Sequence, residues 1–226
     1  MLAALIAVLA AGAWYFLLRD DSPAPVSLAD AAAAAANSQP APGSSANSDP
    51  TGRWNVVQGD ATFAGYRIQQ QVAGIGSQTV VGRTGNVTGS LDFDGSAITD
   101  AQVTVDMSSL KTDESLRDST LRSEAIETSK FPTATFKLTQ PVSVTQAPAQ
   151  GQQASESLMG DLTLHGVTRP VQLDVQGVIQ GGSLVVVGSQ DIKLADFGIS
   201  PPRGPASVLS VADHGSFEVQ LVLTHA

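Results

Sequence analysis

The chain has 226 residues, a net charge of −9, only 5% aromatic and 15% charged residues, and no cysteine. Without a basic stripe to neutralise phosphates, a nucleic-acid role is disfavoured. Without cysteine, disulfides, thiolate metal sites and thiol nucleophiles are excluded. The frequent Gly, with Val and Thr prominent in the second half, suits an all-β domain.

Residues 2–18 (LAALIAVLAAGAWYFLL) form a charge-free apolar run. As a helix it would span roughly 26 Å, near the short limit for crossing a bilayer. Trp14 and Tyr15 suit a membrane interface. The competing reading is a cleaved signal peptide with Ala11-Gly12-Ala13 as its small-residue site, although no Lys or Arg precedes the run. Residues 1–18 are therefore expected to be a transmembrane or signal segment. Residues 19–52, rich in Ala, Ser and Pro, read as a flexible linker. Within them 31–36 is an all-Ala run too short for an autonomous helix.

A globular domain is expected over 53–226. Trp54 opens a short strand, and 62–72 is a second, broken by Gly74 and Gly76. Residues 79–93 read as one long alternating strand with Val81, Val87, Leu91 and Phe93 on one face. Asp94-Gly95 turns into 98–107. The segment 112–128 is the one convincing helix, with Thr112 or Asp113 as its N-cap and Leu116, Leu121 and Ala125 as its apolar stripe. Phe131-Pro132 ends it. Strands follow over 135–144, 158–179 and 184–194. Residues 196–213 read as irregular. The last strand, 216–224, points Phe217, Val219, Leu221 and Leu223 inward and Glu218 and Gln220 outward.

The sharpest local pattern is 158–175. Leu158, Gly160, Leu162 and Leu164 share one parity, and Val167, Val171, Leu173 and Val175 share another across His165-Gly166. A two-residue turn there predicts that Leu164 faces Val167, Leu158 faces Leu173, and Arg169 faces Leu162 on the apolar side. About eight antiparallel strands with one apolar face imply a sandwich or an up-and-down barrel. Inward positions rich in Gly, Val and Thr favour an interior with room left over.

The order and spacing of several motifs then resemble a known family. They are Trp54, Ala64-Gly65-Tyr66-Arg67, the strand at Gly89, Val105-Asp106-Met107-Ser108-Ser109-Leu110, Leu116-Arg117-Asp118 and Phe131-Pro132-Thr133-Ala134-Thr135-Phe136. The run from Gly160 to Thr168 and Asp196-Phe197-Gly198-Ile199 complete the set. Together they resemble the YceI-like polyisoprenoid-binding family, from Arg53 to the end of the chain. The resemblance implies an all-β fold, an eight-stranded antiparallel lipocalin-like barrel with one inserted α-helix. It also implies a long isoprenoid chain held in the cavity, and export to the periplasm or cell envelope. One departure is that Lys193 is followed by Leu194 and Ala195, where the family often places further basic residues.

On this reading the cavity candidates are Phe63, Tyr66, Phe93, Phe131, Phe136 and Phe197, each of which plain core packing would also explain. The head-group candidates are Arg169, Arg67, Arg117 and Lys193, with Arg83 as a further alternative. Arg suits bidentate phosphate recognition. The competing reading for Arg169 is a side chain reaching solvent. His165 reads as a turn residue, because no nucleophile or second base accompanies it. Asp106, Asp113 and Asp118 read as capping residues.

The expected function is non-enzymatic binding of a polyisoprenoid or similar amphipathic lipid at the bacterial cell envelope, with the domain outside the cytoplasm. The alternative is a filled barrel serving as a structural or protein-interaction module that presents 196–213. No metal and no cofactor beyond a bound isoprenoid lipid is expected. The membrane is met through the N-terminal segment, no nucleic acid is expected, and the oligomeric state stays open, a dimer included.

Overall fold

The computed structural model describes residues 22–37, 49–144 and 149–226. The apolar run 2–18 lies outside the described residues. Among the described residues no helix is long and apolar enough to cross a membrane.

Eleven strand segments make one antiparallel sheet. They are β1 (Gly52–Val56), β2 (Phe63–Val72), β3 (Gly76–Thr84), β4 (Val87–Phe93), β5 (Ala97–Asp106), β6 (Thr133–Leu138), β7 (Val142–Ser143), β8 (Gln153–Leu164), β9 (Val167–Gln180), β10 (Ser183–Lys193) and β11 (Val208–His225). β1 pairs with both β4 and β11, which closes the sheet on itself. β2 continues the line of β1 along β11 and pairs in turn with β3. β1 with β2, and β3 with β4, therefore each form one long stave of an eight-stranded up-and-down barrel. Closure removes the exposed sheet edges that would otherwise recruit other chains.

The predicted hairpin is present in its predicted register. Leu164 pairs with Val167, Leu162 with Arg169 and Leu158 with Leu173. His165 and Gly166 both take positive φ, 51° and 72°. That is the type I′ geometry whose twist matches the flanking strands.

Four expectations need correction. The run 79–93 is two strands, not one. Between β3 and β4 the inward parity changes: Val80, Gly82 and Thr84 face in on β3, whereas Val87, Leu91 and Phe93 do on β4. Val81 thus faces outward, although buried. The final strand is far longer than its cleanly alternating part, because register shifts between Val208 and Gly215 absorb the irregular residues into β11.

The helix is shorter too. α2 spans Ser115–Thr120, then widens into one π-helical stretch over Leu121–Ala125. Its cap is Glu114, whose side chain accepts from the Leu116 backbone N–H at 3.0 Å. The wider turn breaks the 3.6-residue period. Leu121 and Ala125 still join the core, but Leu116 is left 68% exposed.

The linker, lastly, is partly structured. Its residues 28–37 form α1 (Leu28–Asn37), which packs Leu28 and Ala31 against Val178, Val185 and Val187 on the outside of β9 and β10. Ser27 and Asp30 explain its start. The Asp30 backbone N–H donates to Ser27 Oγ at 3.2 Å, and Ser27 Oγ donates to Asp30 Oδ2 at 2.9 Å. This is a capping arrangement in the S-x-x-D pattern. An isolated helix of this length is marginal, and packing on the barrel wall stabilises it.

Candidate functional site: a cavity open at one end

The barrel is not filled. Inward residues such as Val103, Val105, Val175, Phe217 and Val219 are only partly buried. They border a cavity of about 750 Å³, inside the ~300–1,000 Å³ range of small-ligand sites. Its wall is almost wholly aliphatic: Val80, Leu91, Ala101, Val103, Val105, Leu158, Leu162, Leu173, Val175 and Val219 among others. Such a surface offers a long apolar chain continuous contact and no fixed polar partner along its length.

One end is closed. Trp54, Ile179, Leu221 and Leu223 pack there into a buried cluster. The Trp54 indole N–H is satisfied by the Pro50 carbonyl at 2.9 Å. At the opposite end the lining residues Glu114, Leu116, Arg203, Gly204 and Pro205 are exposed. The mouth therefore lies between α2 and the loop leading into β11.

Two glycines make room for the aromatic part of the wall. Gly160 sits opposite Leu138 and beside Phe136; a Cβ there would stand 2.3 Å from the Phe136 ring. Gly82 pairs with Tyr66, and a Cβ there would stand 2.3 Å from that ring. Each ring lies across a strand where a side chain is missing. Burial pushes the Tyr66 phenol well above its usual range, a shift that Arg117 opposes and Asp118 and Asp113 reinforce. Tyr66 is thus a neutral hydroxyl near the mouth.

The mouth-side cover is the segment between β5 and β6. Asp106 opens it, its Oδ1 accepting from the Ser108 backbone N–H at 2.9 Å and the Ser108 hydroxyl at 2.5 Å. These bonds hold its carboxyl below the usual range. Asp118, buried, accepts from the Thr112 backbone N–H and hydroxyl, both at 2.8 Å. The far end is clipped to the β8–β9 turn. His165 Nε2 and Glu127 Oε2 lie 3.2 Å apart, and Phe131 stands edge-on to the imidazole at 4.4 Å between centroids. Glu127 and His165 are the two non-glycine residues with positive φ among those described. Hydrogen bonds first from Lys130 and then from His165 lower the Glu127 carboxyl pKa.

Of the residues singled out from sequence, Tyr66, Phe136, Arg67 and Arg117 border the cavity. Phe63, Phe93, Phe131, Phe197, Arg169 and Lys193 do not. Phe93 and Phe197 are buried in the core clusters that surround the open space. Phe63 lies under the Arg83 guanidinium, 4.2 Å from its ring centroid. Arg169 has the inward parity predicted for it, yet it is exposed and its Nε donates to the Asp196 carbonyl at 2.9 Å. It fastens a loop rather than facing the cavity.

Arg67 contributes to the wall, but its guanidinium serves an ion-pair cluster. Its Nε donates to Glu218 at 3.0 Å, and Arg83 reaches the other Glu218 oxygen at 3.4 Å. Glu218 has the outward parity expected of it and is nonetheless 2% exposed. The segment preceding α1 lies over it: Arg67 also donates to the Pro23 carbonyl at 2.7 Å and Arg83 to that of Ala24 at 3.1 Å. Arg117 pairs with Asp113 on its own turn. The sequence reading missed Phe217 and Arg203 as cavity-bordering residues. Phe217 was legible in the inward parity of the last strand; Arg203 was not, because no period runs through its loop. Among the described residues, no three His, Asp or Glu side chains converge as a metal site would require.

Comparison with known proteins agrees with this architecture. The family model described as the YceI-like domain matches residues 54–223. A UPF0312 protein of Shewanella denitrificans is 33% identical over 157 residues, covering 66% of this chain and 78% of that one. Protein YceI of Escherichia coli O157:H7 is 33% identical over 159 residues, 66% of this chain and 77% of that one. Among solved structures, a polyisoprenoid binding domain from Saccharophagus degradans superposes with a TM-score of 0.61 at 17% identity, covering 78% of this chain and 99% of that one. Burkholderia cenocepacia BcnA gives 0.53 at 19% identity, covering 71% and 94%.

Proposed function

This chain belongs to the YceI-like family, and from that premise we propose that it binds the apolar chain of a polyisoprenoid or similar amphipathic lipid without transforming it. The observation that carries the proposal is the aliphatic cavity of about 750 Å³, closed at the Trp54 end and open beside α2. Burying each CH₂ of a ligand there contributes about 0.8 kcal/mol. A long hydrocarbon is therefore held by length alone, with its polar end left at the mouth beside Tyr66, Arg117 and Arg203. The Saccharophagus degradans neighbour, described as a polyisoprenoid binding domain, supports this choice of ligand class.

The setting belongs to the same proposal. Residues 2–18, read as an anchor or an export signal, support a setting at the bacterial cell envelope, with the barrel outside the cytoplasm. Among the described residues that border the cavity, no acid–base pair or activated nucleophile is assembled, which favours a carrier over an enzyme. The filled-module alternative requires an interior occupied by side chains, and the half-buried wall weighs against it.

The test is lipid extraction and mass spectrometry on the purified full chain. One polyprenyl-type lipid per barrel is expected, or uptake of one added decaprenyl phosphate. A barrel that stays empty after incubation with that lipid would overturn the proposal.

A further inference from the structure

Five large hydrophobic side chains are exposed among the described residues, Leu116 and Leu209 strongly and Val57, Ile75 and Met159 less so. Three of them gather at one end. Leu116 lies on α2 at the cavity mouth. Leu209 opens β11 next to the loop that forms the other lip, and it is 69% exposed. Ile75 caps the β2–β3 hairpin, whose Ala73 backbone N–H donates to the Ser207 carbonyl at 2.8 Å. The closed end and the outer wall carry one each, Val57 and Met159.

The geometry points to a lipid bilayer as the partner of this rim: Ile75, Leu116 and Leu209 seat the mouth on the membrane so that the ligand passes between bilayer and cavity without crossing water. This inference rests on the lipid-binding proposal above. A ligand leaving through an aqueous gap would expose each of its CH₂ groups to water, at a cost that grows with its length. Direct contact of the mouth with the bilayer removes that barrier, and apolar side chains around the opening are what such contact needs.

One further feature agrees. The acids nearest the mouth are already engaged: Asp113 with Arg117, Asp118 with Thr112, and Glu114 with the α2 backbone. The Asp113 charge is balanced by Arg117, and Arg203 adds an exposed guanidinium at the opposite lip, suited to an anionic lipid head group, on a chain of net charge −9.

The absence of cysteine makes the test direct. Single-cysteine variants Ile75→Cys, Leu116→Cys and Leu209→Cys, with Met159→Cys and Val57→Cys as references, are labelled with an environment-sensitive fluorophore in the full chain. They are mixed with phosphatidylcholine vesicles carrying brominated acyl chains and decaprenyl phosphate. Labels at 75, 116 and 209 are expected to be quenched several-fold more than those at 57 and 159. Equal quenching at all five positions, or no vesicle contact at all, would overturn the inference. So would a spectral change at the rim that depends on protein concentration without vesicles, which would assign the rim to a second copy. Lipid uptake measured in parallel separates the two proposals. Uptake with no rim quenching removes only the membrane contact; rim quenching with no uptake removes only the lipid-binding reading.

Discussion

Gly160 shows how much of the cavity depends on single atoms. Adding one methyl there places it 2.3 Å from the Phe136 ring and 2.7 Å from the Lys137 carbonyl. Neither can yield without moving β6. Gly160→Ala is expected to lower stability by about 1–3 kcal/mol, the usual cost of overpacking, read as a lower denaturant midpoint. An unchanged midpoint would mean that the Phe136 ring is free to leave the strand. Glu218 presents the opposite case, a carboxylate 2% exposed between two guanidinium groups. Glu218→Ala leaves Arg67 and Arg83 facing each other without their shared partner. A loss of about 3 kcal/mol is expected, the scale of breaking a buried pair from one side. Urea unfolding measures it; a loss below about 1 kcal/mol would put the cluster on the scale of an exposed pair.

At the scale of elements, the mouth cover and the wall helix are the movable parts. The cover is held at its far end by Glu127, which hydrogen-bonds Lys130 and His165. Because those bonds lower its folded pKa, Glu127 stabilises the cover fully above the ordinary carboxylate pKa of about 4.3. That contribution is lost as pH falls through the lowered value. Hydrogen exchange at residues 121–131 is expected to accelerate below about pH 4, and Glu127→Gln to remove that part of the pH dependence. An identical pH profile in the variant would place the effect elsewhere. For α1, Ala31→Glu puts a charge at a position 0% exposed against Val178, Val185 and Val187. The helix amides are expected to lose protection while the barrel strands keep theirs; retained protection of 28–37 would contradict the docking.

The same elements show what the sequence could reveal. The turn and register of the β8–β9 hairpin were legible, because period-2 alternation and a His-Gly turn are local signals, although β8 begins at Gln153, five residues before the alternation from Leu158. The split of 79–93 was not, since a change of parity at Gly85-Asn86 leaves the hydrophobic pattern almost intact. α1 left two clues: the Ser27-to-Asp30 capping pattern, and the unbroken run Leu184-Val185-Val186-Val187. A strand apolar on both parities is covered on both faces. Arg169 was placed on the correct parity from the hairpin alone. Its exposure is set by the Asp196 carbonyl, 27 residues away, which no local pattern reports.

As a whole molecule, the chain is a closed barrel with one packed end, one open end and an aliphatic interior between them. Closure by β1 across β4 and β11 lets the wall stand without a filled core, because each stave is hydrogen-bonded on both sides. The empty space is thereby available to a ligand. The central claim, that this space holds one lipid chain, is tested most directly by native mass spectrometry of the full chain with decaprenyl phosphate, comparing wild type with Val103→Trp. Val103 borders the cavity at mid-wall, so the indole would fill space that the lipid needs. The account predicts one bound lipid for the wild type, at least a tenfold loss of bound lipid in Val103→Trp, and a melting temperature not lowered by the variant. Equal lipid occupancy in the two proteins, or none in either, would contradict it.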